Sequence, residues 1–263
     1  MTDDQKYLFD LNGYLVIENA LSPDEVRRCN EAIEHHSEQI WEMADSLTGG
    51  SQPLAGTSRR KELGGMLAWE RPHCEIFRQL LVHPRVAPIL NGVLGQRYRL
   101  DHGPGLVAMD PGCEGHRLHN GGADRGHDLT GVYLVRNDCI FTGLTVLEYM
   151  LADEGPGDGG LAVVPGSHKA NYRCPRGMLL YQKLQDQVVE VHAKTGDAVV
   201  FTEMLTHGAL PWNGRHQRRT LLYKFSPGCQ AFSGGWGNEQ PPDFVQDMTE
   251  EQRAVMEPPS TRQ

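Results

Sequence analysis

His119, His207 and Arg218 are the residues of this sequence whose types and spacing could do chemistry together. His119 lies in Gly115-His116-Arg117-Leu118-His119-Asn120-Gly121-Gly122, a histidine-bearing turn expected to leave one strand and enter a glycine-rich loop. His207 sits in Thr206-His207-Gly208-Ala209-Leu210-Pro211, just after another expected strand, and Arg218-Arg219 opens a third. Two imidazoles on neighbouring strands can hold a first-row divalent metal. A guanidinium one strand away can grip a carboxylate through two parallel hydrogen bonds. That donor set suits an iron centre with a dicarboxylate co-substrate. A facial triad of two histidines and one carboxylate would read His-x-Asp, but here the third position is Gly121, which has no side chain to offer.

Rigid elements must hold these groups, and the chain's patterning predicts them. Gly13 to Glu18 is a short β-rich run. Ser22-Pro23-Asp24-Glu25 then reads as a helix start, with Ser as N-cap, Pro in the first turn and Glu closing a capping box. Val26, Cys29, Ile33, Ile40, Met43 and Ala44 share one face, so the spacing predicts a helix from Pro23 to about Ala44. Residues 47–65 lack periodicity and read as a loop, in place to act as a lid. Two short helices are expected between Cys74 and Leu94, divided at Pro84 and ended by Gly95.

From Tyr98 the texture changes to strands between turns. They are predicted at Tyr98–Asp101, Leu106–Asp110, Val132–Arg136, Leu144–Ala152, Leu161–Val164, Val188–His192, Ala198–Thr202 and Thr220–Phe225. Such a set suggests a closed or double-sheet β core. A short helix follows near Thr249. The whole reads as one α+β domain over 1–263, with a helical part at 1–97, a β core at about 98–227 and a tail at 228–263.

Bulk composition excludes several roles. Lys and Arg total 25 against 34 Asp and Glu, a formal net charge of -9 with no basic run, which argues against nucleic acid or an anionic membrane surface as partner. No stretch reaches the roughly 18 apolar residues of a membrane span, and the first residues lack a basic region followed by an apolar core, so a cytoplasmic location is expected. The 6 cysteines show no C-x-x-C spacing and are expected to be reduced and mostly buried.

The order of motifs carries a resemblance. After the helix-rich first third come His119, Gly157-Asp158-Gly159-Gly160 running into Val164-Pro165-Gly166-Ser167-His168, then Gly196-Asp197-Ala198-Val199-Val200-Phe201, His207 and Arg218. In this order and spacing the chain resembles the phytanoyl-CoA dioxygenase family, from Gly13 to about Phe225. The resemblance implies a double-stranded β-helix core (jelly-roll, cupin-like) and an oxygenase that uses Fe(II), 2-oxoglutarate and O2 on a small-molecule substrate. It also implies that His119 is the first iron ligand, His207 the distal one, and Arg218 the partner of the far carboxylate of 2-oxoglutarate. Arg219 would then point to the opposite face as a solvated charge.

The family supplies Asp where this chain has Gly121, and three explanations stand. The vacancy could accept chloride or bromide, as in the radical halogenases of the superfamily, whose residue at this place is Ala or Gly. Another acid could complete the site: Glu148, out of character in a buried strand, leads, with Asp124 and Asp128 behind it. Hydroxylation would then be the activity. Or the site could be empty, leaving a metal-poor binding protein. His116 is placed to contact substrate or to stand in as a ligand, and His127 with Arg125 could line the pocket. Arg117 could reach an anionic substrate, and Trp212 could wall the pocket or simply fill core. His168 reads as structural. His35, His36, His73, His83, His102, His192 and His216 read as surface or core fillers.

Overall fold

The structure is a computed structural model that describes residues 1–121, 132–232 and 242–261. Helix α1 (Asp3–Asn12) starts at a Thr2–Gln5 capping box and stops at Gly13, whose φ of 83° few residues other than glycine adopt. Strand β1 (Tyr14–Ile17) leads to α2 (Pro23–His35), which opens with the expected Ser22–Glu25 capping box. This helix ends nine residues before the predicted Ala44. The reason is pairing: Trp41–Glu42 form strand β2 against β3 (Lys61–Leu63), and the Met43 amide donates to the Arg60 carbonyl. A strand ladder thus captures residues that helical periodicity alone had claimed.

Helices α3 (His73–Leu80) and α4 (Ala87–Leu94) stand where expected. The β core follows: β4 (Arg99–Met109), β5 (His116–His119), β6 (Tyr133–Arg136), β7 (Cys139–Thr142), β8 (Thr145–Met150) and β9 (Gly160–Val163). After α5 (Arg176–Leu179) come β10 (Val189–Glu190), β11 (Ala198–Thr202), β12 (His207–Leu210) and β13 (Arg218–Ser226), and α6 (Glu250–Val255) closes the chain. The two strands predicted either side of Gly103-Pro104-Gly105 are one, β4, because β13 pairs along nearly its whole length.

Two antiparallel sheets form the core, a seven-stranded one in the order β1-β11-β8-β13-β4-β3-β2 and a four-stranded one in the order β10-β9-β12-β5, while β6 and β7 pair as a separate two-stranded sheet. They face each other as a jelly roll rather than a closed barrel. Val146 and Met150 of β8 and Phe201 of β11 pack against Leu161 and Val163 of β9. The other face of the large sheet is covered by helices: Leu147, Tyr149, Leu221 and Tyr223 pack with Ile33, Phe77, Leu80 and Leu90. Each tyrosine finds a buried acceptor, Tyr149 donating to the Leu80 carbonyl at 3.0 Å and Tyr223 to that of Phe77 at 3.1 Å. Strand β8 is therefore buried on both faces, which puts Glu148 between the sheets.

Residues 47–65 are not a free loop. Leu54 accepts from the Gly115 amide and Leu47 from that of Arg117, while Glu114 binds Leu47 and Ser46 in return, so the segment runs beside β5 and one end lines the cavity. Among the described residues no helix is long and apolar enough to cross a membrane. All cysteines are free, but only Cys29, Cys74 and Cys113 are buried, fewer than expected, while Cys139 and Cys229 are exposed.

Candidate metal centre

His119 and His207 are cross-strand partners on β5 and β12, with ring centroids 4.3 Å apart. Each imidazole is oriented by its own strand. Nδ1 of His207 donates to the Leu205 carbonyl at 2.7 Å, and Nδ1 of His119 to the Arg117 carbonyl at 3.2 Å. A carbonyl can only accept, so the proton sits on Nδ1 and each Nε2 keeps a lone pair. Burial, the largest influence on each, holds both imidazoles below the ordinary histidine pKa and so in the neutral form a metal needs.

Among the described residues the carboxylate near this pair is Glu203, for which the sequence alone predicts no role. One ligand atom each from His119, Glu203 and His207 lies within 4.8 Å of the other two. Glu203 follows the last residue of β11 in the tight connection to β12. That connection is held by the Leu205 amide on the Thr202 carbonyl and by the Glu203 amide on the Leu144 carbonyl. The Glu203 carbonyl accepts from the Gly121 amide at 2.8 Å, so the backbone that lacks the expected Asp is stitched to the residue that brings a carboxylate. Burial works against ionisation of Glu203. His207 and Lys224, whose Nζ is 3.1 Å from Oε2, outweigh it and keep the carboxyl below its usual range. A signal for Glu203 existed: an acid four residues before His207 in a run that is otherwise apolar or threonine.

Glu148 points between the sheets but belongs to another group. Arg218, at the start of β13, is buried with Nη2 3.2 Å from Glu148 Oε2 and Nε 2.7 Å from Glu154 Oε1, and Thr220 donates to the same Glu154 oxygen at 3.0 Å. Glu148 is thus the arginine's partner and is not in the cluster with the two histidines. Burial pushes its carboxyl up to about 7, against the pull of Arg218. Arg219 faces the other way, as alternation requires, but it is docked rather than solvated: it pairs with Glu34 at 2.5 Å and Asn30 at 3.1 Å on α2.

A cavity of about 610 Å³ opens onto these groups, lined by His116, His119, His207, Glu148, Arg218 and Lys224 and walled by apolar residues such as Met66, Leu106, Phe201 and Leu222. This is the size of a small-molecule site. His116 lies beside His119 with ring centroids 4.5 Å apart and planes tilted by 31°, and burial drives its pKa down to about 2. His168 is structural as expected, buried and bonded to the Asp10 carbonyl at 3.0 Å. Trp212 is core: it is fully buried beside Met109 and Cys113. Arg117 is not among the residues that line the cavity. Asp124, Arg125, His127 and Asp128 lie outside the described residues.

A two-histidine, one-carboxylate donor set beside an arginine fits a ferrous ion and a dicarboxylate. The phytanoyl-CoA dioxygenase family model matches residues 9–220. Among solved structures, HygX from Streptomyces hygroscopicus with nickel and 2-oxoglutarate bound is 22% identical, with a TM-score of 0.70, over 86% of this chain and 87% of its own. The epimerase SnoN from nogalamycin biosynthesis is 14% identical with a TM-score of 0.63 over 86% and 83% of the two chains. The carbocyclase SnoK from the same biosynthesis is 19% identical with a TM-score of 0.60 over 87% and 85%. No curated protein sequence matches the chain.

Proposed function

The chain belongs to the phytanoyl-CoA dioxygenase family, and from that premise we propose an Fe(II)- and 2-oxoglutarate-dependent oxygenase that attacks a C–H bond of a small molecule, with iron held by His119, His207 and Glu203. The observation that carries the reading is the approach of the three ligand atoms within 4.8 Å of one another. Iron with 2-oxoglutarate and O2, when bound, supplies oxidative decarboxylation coupled to C–H cleavage. HygX in complex with nickel and 2-oxoglutarate and HygX with iron support this cofactor set.

The chain's own residues do the rest. His119 and His207 keep their protons on Nδ1 and present Nε2. Lys224 holds one oxygen of Glu203, leaving the other for the metal. Arg218, fixed by Glu148 and Glu154 and lining the cavity, offers its guanidinium to the far carboxylate of 2-oxoglutarate. The apolar walls exclude water, which strengthens each of these charge contacts. With a carboxylate on the metal, hydroxylation is the outcome we assign. SnoN and SnoK, an epimerase and a carbocyclase of the same fold, mark other outcomes of substrate placement.

The second reading, halogenation, rests on Gly121, which leaves room for a halide where the family has Asp. A halide titration separates the two. The anaerobic protein is loaded with Fe(II) and 2-oxoglutarate and its weak visible charge-transfer band is followed with and without chloride, in wild type, Glu203→Gln and Gly121→Asp. The expected result is a wild-type band indifferent to chloride and weakened in Glu203→Gln. A chloride-dependent shift in wild type that disappears in Gly121→Asp would sink the three-ligand reading and make the protein a halogenase. No band, together with no succinate from 2-oxoglutarate, would leave only a binding protein.

A further inference from the structure

Three histidines set aside in the sequence as fillers converge on one glutamate, away from the cavity. His35 and His36 end α2 and its cap, Glu70 lies in the segment before α3, and His73 is the first residue of α3. One ligand atom from each of the four lies within 4.8 Å of all the others. Nε2 of His35 is 3.5 Å from Glu70 Oε1, Nε2 of His36 is 3.5 Å from Oε2, and Nδ1 of His73 is 3.4 Å from Oε1. These separations are long for hydrogen bonds, which centre near 2.9 Å. They are close to the edge of a tetrahedron, about 3.3 Å, built on metal–nitrogen bonds of about 2.05 Å.

His36 is prepared as a ligand. Its Nδ1 donates to the Ala32 carbonyl at 2.9 Å, which leaves the lone pair on Nε2, and its ring is stacked on Trp69 with centroids 3.8 Å apart and planes 6° apart. His35 and His73 add two more imidazoles whose centroids are 4.1 Å apart.

We propose that His35, His36, Glu70 and His73 form a second metal site, closed and four-coordinate, that takes Zn2+. Three imidazoles and a carboxylate suit zinc, and a full complement of protein ligands marks a structural site, with no position kept open for chemistry. The placement gives the ion a task. Residues Gly64 to Ala68 line the substrate cavity, and the chain passes directly from them through Trp69 to Glu70. A metal joining Glu70 and His73 to the end of α2 pins one end of that cavity wall to the helical layer.

The test uses tag-free, chelator-treated protein titrated with Zn2+ alone by calorimetry, in wild type, His207→Ala, His35→Ala/His73→Ala and the combined triple variant. Wild type should bind two equivalents, either site's variant one, and the triple variant none. His35 and Glu70 are 56% and 61% exposed, so the fold should bear the changes. Glu70→Gln should weaken the second equivalent by about tenfold or more while its stoichiometry persists. Co2+ added to His207→Ala should give the intense visible bands of a four-coordinate ion without altering the cluster itself. Zinc stoichiometry unchanged by His35→Ala/His73→Ala, or only the weak bands of six-coordinate Co2+, would overturn the proposal and leave the cluster a hydrogen-bonded surface group.

Discussion

At the scale of single residues, Arg218 with Glu148 decides how the co-substrate enters. Glu148, raised to about 7 by burial, is a neutral acid below that pH and can donate to a carboxylate placed against Arg218. Above it, Glu148 is a second negative charge beside the incoming one. The apparent KM for 2-oxoglutarate should therefore rise with pH above about 7, by at most roughly tenfold per unit once the carboxyl ionises. Glu148→Gln, neutral throughout, should flatten that profile, and a wild-type KM independent of pH from 6 to 9 would remove Glu148 from this role. Arg218 was legible in the sequence because the family spacing from His207 singles it out. Glu203 was not: an acid in a connection between strands defaults to a solvated charge. Only the tight β11–β12 turn, invisible to periodicity, folds it back onto the two imidazoles. The same blindness hid His35, His36 and His73, which are brought together by helix ends far apart in sequence.

At the scale of elements, the metal centre depends on how closely β5 and β12 approach. Gly208 sits between Phe201-flanked His207 and Ala209, and a Cβ there would meet the His116 carbonyl oxygen at 2.6 Å and Arg117 backbone atoms at 3.1 Å. Those are main-chain atoms, which cannot swing aside. Gly208→Ala should force the strands apart at a cost of about 1–3 kcal/mol, lowering Tm by several degrees. Iron affinity should fall with it, because the cross-strand pair His119–His207 is the one displaced. Thermal unfolding and Fe(II) titration check this, and a variant with native iron affinity would show that the pairing is looser than it looks. Elements of this kind were only partly readable. Strands buried on both faces, such as Ala198–Thr202, announce themselves by β-branched runs, whereas β5 and β12 are short, carry glycine and histidine, and read as turns. Helix α2 was overextended for the opposite reason: Ile40 and Met43 keep helical spacing, but pairing with β3 outcompetes it.

At the scale of the whole molecule, burying so many imidazoles between two sheets ties stability to pH. Burial holds His116 at about 2, His119 at about 3 and His168 at about 4, and His207 below its ordinary value as well. As pH falls below the unfolded value of about 6.5, the unfolded chain takes up protons that these four folded imidazoles refuse. Stability should then fall by about 1.4 kcal/mol per pH unit for each. Glu148 opposes one of them: between the unfolded carboxyl value near 4.5 and its folded value of about 7 it keeps a proton the unfolded chain has lost, so its contribution grows as the medium becomes more acidic. Near pH 5.5 His116, His119 and His168 each refuse a proton, His207 acts in the same direction, and Glu148 retains one, so refusal outweighs retention. Metal-free protein unfolded by denaturant should therefore lose stability from pH 6.5 to 5, and His116→Asn should make the slope shallower by about 1.4 kcal/mol per pH unit by removing one refused proton. Fe(II) binds the folded chain with its imidazoles already neutral, so the loaded protein should be more stable at pH 7. A slope unchanged in His116→Asn would mean that this ring stays open to water, and that the cavity mouth lies closer to His119 than the two sheets allow.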